Sequence, residues 1–189
     1  MKKTAMGEAV SAVAATASAF APAVSQTEQA HAEGFYTVTF VDANGVEQWS
    51  ERVDNLVTTV GKNFILDTVL AGSAYTATWF IGLMSSVSYT TGAAAGDTMA
   101  SHGGWTESVA YSNATRVAPS FGAASAGSKA TTATAFNINA SDTIKGVFLN
   151  SVSTKSGTTG TLYSAGLFTG GDQVVTSGGT LNVTYTASV

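Results

Sequence analysis

The chain has no cysteine, which excludes disulfides, thiolate metal sites and cysteine nucleophiles together and leaves the redox compartment unread. Charge is scarce too. Asp, Glu, Lys and Arg make up 11% of the 189 residues, against roughly 25% in typical soluble domains. The net charge is −4 and the eight Lys and Arg are scattered, so no basic field exists to gather phosphates and no nucleic-acid partner is expected. Only two histidines are available as a general base. No stretch reaches the 18 or so consecutive apolar residues of a membrane span, because Glu8 and several hydroxyl residues interrupt the most apolar one, so no membrane partner is expected.

What is present is Gly, Ala, Ser and Thr at surface-like positions, a composition better suited to lying against neighbours than to a free monomer. The length allows one domain with a sizeable core plus an appendage. Residues 1–33 read as that appendage. Helix formers run from Thr4 to Phe20, Pro22 stops the pattern, and Ser25 to Glu33 is polar. The start, Met1-Lys2-Lys3 with a later Ala30-His31-Ala32, imitates a secretory signal and its cleavage site. The intervening apolar stretch has no Leu or Ile and is diluted by Ser and Thr, so an N-terminal arm, partly helical, is expected instead. Its apolar residues are too small to build a core, so an ordered arm needs another surface, with Phe20 and Pro22 as partner-binding candidates.

From Gly34 the periodicity becomes two. Residues 35–53 predict a hairpin around Asn44-Gly45, whose positive φ angles suit a tight turn. Asp54-Asn55 then offers a cap, and Val57, Val60, Phe64, Ile65, Val69 and Leu70 predict one amphipathic helix over 55–71 with Gly72 as its stop. Strands are expected over 76–84, 131–139, 143–150, 162–168 and 180–187, separated by Gly, Ser and Asp clusters. Together they predict a mainly β domain over 34–189, a jelly-roll-like β-sandwich with one amphipathic helix and an extended N-terminal arm. Residues 85–130 read as a long contact-making loop with a helical turn at Asp97–Ser101.

The chemistry-bearing residues are few. His102, near Asp97 and Glu107, has no second histidine or nucleophile motif beside it, so a loop histidine bonded to backbone outweighs a catalytic or metal-binding one. His31 offers less. Asp97 and Glu107 have the residue types of a glycosidase pair, but a capping Asp97 and a solvated Glu107 are favoured. The glycine pairs Gly103-Gly104, Gly170-Gly171 and Gly178-Gly179 lack the Lys-Ser/Thr of a phosphate loop and read as turns. No catalytic residue, cofactor or metal site is therefore expected. Trp79, Phe80, Phe136, Phe148, Tyr163 and Phe168 fall in strand patterns and read as core. Trp49, Trp105 and Tyr111 lie nearer loops or an edge and are the interface candidates.

Two groups of segments resemble a family of tailed-bacteriophage virion structural proteins. The first is Gly72-Ser-Ala-Tyr-Thr-Ala-Thr-Trp-Phe-Ile-Gly-Leu-Met84, followed by Asp97-Thr-Met-Ala-Ser-His-Gly-Gly-Trp-Thr-Glu107 and Tyr111-Ser-Asn-Ala-Thr-Arg116. The second is Ser153-Thr-Lys-Ser-Gly-Thr-Thr-Gly-Thr-Leu-Tyr-Ser-Ala-Gly-Leu-Phe168. The likeness covers most of residues 34–189. It implies a non-enzymatic virion structural protein, and by extension a decoration or cement protein on the outer surface of the phage head, bound to the major capsid protein. A homotrimer at points of capsid symmetry extends that implication. A tail or tail-fibre component is the alternative, and a glycan hydrolase a weaker one. A cysteine-free protein of this kind would gain stability from oligomerisation or lattice docking, by mass action.

Overall fold

In the computed structural model the described residues are 31–70 and 78–189. The expectations placed on residues 1–30, including Phe20 and Pro22, lie outside them, as does that placed on Gly72. The body is mainly β: two antiparallel sheets packed face to face, with one helix at the side.

The first sheet begins with the expected hairpin, β1 (Glu33–Val41) and β2 (Glu47–Asp54). Only Gly45 of the turn has positive φ, at 82°. Asp42 does the remaining work: its Oδ1 accepts the N–H groups of Val46 and Asn44 at 3.0 and 2.8 Å. Those bonds, Val46 foremost, hold its carboxyl below the usual range. β1 also pairs along its whole length with the last strand, β11 (Thr180–Ser188). The far edge of β11 carries two short strands in succession, β6 (Ser128–Ala130) and β7 (Thr134–Asn137).

The second sheet runs β3-β9-β8-β4-β5, with β10 (Gln173–Val175) beside the start of β8. Its members are β3 (Leu56–Val57), β4 (Phe80–Ser85), β5 (Thr106–Ser108), β8 (Asp142–Asn150) and β9 (Leu162–Leu167). Alternation in β1, β4, β8 and β11 sends Tyr36, Val38, Phe40, Ile81, Leu83, Val147, Leu149, Leu181 and Val183 into one inter-sheet core. Phe136 and Phe168 join it, and Trp79 and Tyr163 pack against it.

The helix differs from expectation. α1 is Thr59–Val69, and Leu56–Val57 pair with β9 as β3 instead of opening the helix. The cap is Thr58, whose Oγ1 accepts the Gly61 N–H at 3.1 Å, not Asp54 or Asn55. The Thr58 hydroxyl also donates to Leu162 O, tying the cap to β9. Gly61 is the buried residue of α1, packed so close to β9 that an added Cβ would overlap the Tyr163 backbone. The helical turn expected at Asp97–Ser101 is instead a tight turn closed by reciprocal backbone bonds between Thr98 and Ser101.

The long region after β4 is a cover. A second cluster, on the opposite face of the β4-β8-β9 sheet from the inter-sheet core, joins Met84, Phe148, Leu162 and Ala165 to Met99 and Trp105, with Tyr89, Ala93 and Leu167 packed against it. One sheet is thus buried on both faces, by its partner sheet on one side and by irregular chain on the other. Gly82 permits the close approach on that side, since a Cβ there would overlap the Phe148 ring.

Candidate functional site

The strongest concentration of buried polar chemistry is a clamp on the covered face. β5 pairs with β4 so that Glu107 stands opposite Met84. Arg116, returning from the following loop, lays its guanidinium 5.1 Å from the centre of the Phe148 ring. Arg116 Nε and Nη2 donate to the two carboxylate oxygens of Glu107 at 3.0 and 2.8 Å. The two side chains are 0% and 3% exposed. Nη1 and Nη2 also donate to the carbonyls of Val152 and Gly157, both at 2.9 Å, and Ser156 N–H donates to Glu107 at 2.7 Å. Ser156 takes the left-handed conformation, φ 56°, while making that bond. A buried pair of this kind holds because its donors and acceptors are met at good geometry.

Next to the clamp, Lys155 Nζ donates to Tyr111 O at 2.7 Å and sits 3.8 Å from the centre of that ring. Burial lowers the Lys155 pKa from its ordinary value and raises that of the Tyr111 phenol. These contacts lock 107–116 onto 152–157, segments separated by the whole of β6 to β8.

Several sequence expectations change here. Glu107 is not solvated; it is the buried half of the clamp. Trp105 and Tyr111, expected near loops or an edge, are buried in this chain: they are 3% and 1% exposed, Trp105 against Phe148 in the cover and Tyr111 edge-on to Phe136 in the inter-sheet core. Trp49 is half-buried at the other end of the sandwich, donating Nε1–H to Val174 O at 3.0 Å and packing on Phe40 and Phe168. The surrounding Gly and Ser made Trp105 look like loop surface, yet the size of an indole argued for burial somewhere. The Glu107–Arg116 pairing left one signal, an acid and a base nine residues apart in a chain with very few charges.

His102 stacks on Trp105, with ring centres 3.8 Å apart. Burial lowers its pKa, outweighing the pull of Asp97 and of the Trp105 backbone. Asp97 closes its own turn, accepting the Ala94 N–H at 2.9 Å. Among the described residues no three His, Cys, Asp or Glu side chains converge as metal ligands, and no helix is long and apolar enough to cross a membrane.

A second feature is an apolar groove of about 660 Å³ between α1 and the sandwich, walled by Phe64, Ile65, Trp79, Phe121, Tyr163 and Tyr185 among others. No sequence expectation pointed to it, because its walls come from seven separate parts of the chain. Compared with protein-family models and with curated proteins, the chain matches none.

Proposed function

We propose that this chain is a non-enzymatic structural protein of tailed-bacteriophage virions, a decoration or cement protein seated on the outside of the head between major capsid subunits. One observation carries the reading: segments on which the resemblance rests meet in a single buried device. Tyr111 and Arg116 from one, and Lys155 and Gly157 from the other, bond to each other directly. Residues that could otherwise argue for catalysis have structural partners, Glu107 in the clamp and Asp97 in its turn.

The mechanism is mechanical. A two-sheet body with little charge presents area, and area shared between neighbouring capsid subunits raises the free energy needed to separate them. A jelly-roll-like connection of the two sheets and a homotrimer at symmetry points belong to the same proposal. Trimerisation raises the effective concentration of the second and third contacts once the first has formed. The test is localisation in a reconstruction of the virion. Density for this chain on the outer capsid lattice is expected; density confined to the tail overturns the head assignment.

A further inference from the structure

The groove beside α1 is open and walled mainly by apolar side chains. Its described walls carry a single charge, Lys129. The apolar surface continues past it, because Val69 lines the groove while the last turn of α1 leaves Leu66, Val69 and Leu70 53%, 72% and 78% exposed. A contiguous patch of this kind marks a binding surface more often than a bare one.

The place where residues 1–30 join the body identifies an occupant. β1 starts at Glu33 opposite Ser188, and Gly34 stands opposite Ala187. Ala187 is a groove wall, and on its other side it pairs with Lys129. Neighbouring strands lie about 4.8 Å apart, so the start of β1 lies one strand spacing from the groove wall at Ala187. Residues 20–32 can extend roughly 43–47 Å, ample to turn back into it. The segment holds four Ala and one Val, with a single aromatic, Phe20, just before Pro22, and it carries Glu28, opposite in sign to Lys129. Small side chains around one aromatic suit a groove with aromatic walls.

We infer that the groove seats the chain's own N-terminal segment, with Phe20 as its anchor. Covalent attachment beside the site gives that segment an effective concentration no free competitor of equal affinity matches. The inference does not rest on the lattice role. It adds a constraint to it, since a segment seated here is withheld from any capsid partner.

The absence of cysteine makes the test direct. Ser18→Cys in the full chain takes one spin label, and its effect on amide signals is read by NMR. Seating predicts loss of the Thr68, Lys129 and Ala187 signals, with those of Val87 and Ser86 kept as the control. Phe20→Asp should restore the lost signals while leaving the dispersion of the rest unchanged. Mixing isotope-labelled chain without the spin label and spin-labelled chain without isotope separates the sources. Loss in that mixture means that a second copy fills the groove, and no loss in either sample means that the segment sits elsewhere; both overturn the inference.

Discussion

The two faces of the β4-β8-β9 sheet are buried by different means. On one, strands meet strands, and Ile81, Leu83, Val147 and Leu149 interlock with Val38, Phe40, Leu181 and Val183 of the opposing sheet. On the other, Met84 and Phe148 lie under Met99 and Trp105 from chain with little regular structure. The first core is fixed by alternation and ladder hydrogen bonds. The second depends on one indole, one close glycine and one buried ion pair. Regular pairing spreads stability over many residues, whereas an irregular cover concentrates it in a few, so single substitutions should open the cover more selectively than the core.

The largest effect is expected at the clamp. Arg116→Ala leaves Glu107 buried without its partner and should destabilise the protein by about 3–5 kcal/mol, whereas an apolar pair replacing both residues should cost far less. Denaturant melts of the single and double variants check this. Trp105→Ala should rank next, with a loss of about 3–5 kcal/mol if the cover unfolds with the body. Should the cover open alone, amide exchange will instead accelerate over residues 86–105 while β1 and β11 stay protected; equal acceleration everywhere would erase the distinction between the two faces. Gly82→Ala drives a methyl into the Phe148 ring and should cost about 1–3 kcal/mol. Adding Phe148→Leu to that variant should recover part of the loss.

The smallest effect is a pH dependence. His102 has a folded-state pKa below its ordinary 6.5 because it is buried against Trp105. The unfolded chain therefore takes up the proton first. Its contribution to stability is complete above about pH 6.5 and falls away as pH drops through the lowered value. His102→Gln should flatten that part of the stability profile, and an unchanged slope would show that the stack does not matter.

How much of this was readable beforehand follows the same division. Period-two runs long enough to show alternation, as in β1, β8 and β11, placed the hairpin, the inter-sheet core and its aromatics. The three-residue strands β5, β6 and β10 are too short to carry a period, and β3 was absorbed into the helix because Val57 fits either spacing. The packing of the cover on the sheet was not legible in the sequence. Nothing local distinguishes an exposed Trp in a Gly-rich loop from one folded onto a sheet, and the decisive partner, Phe148, lies 43 residues further along the chain. The role of Arg116 is not legible in the sequence, since it depends on Val152 and Gly157, positions no local pattern links to it.

The central functional claim is that this body stabilises a shell through contact area and not through charge. The direct measurement compares the survival of phage heads with and without the protein under heating and osmotic shock, at low and high salt. Attachment through apolar area predicts that decorated heads outlast bare ones at both salt concentrations, because screening weakens exposed charge pairs and leaves apolar burial in place. Equal survival of bare and decorated heads would contradict the stabilising role, and release of the protein in moderate salt would contradict attachment by area.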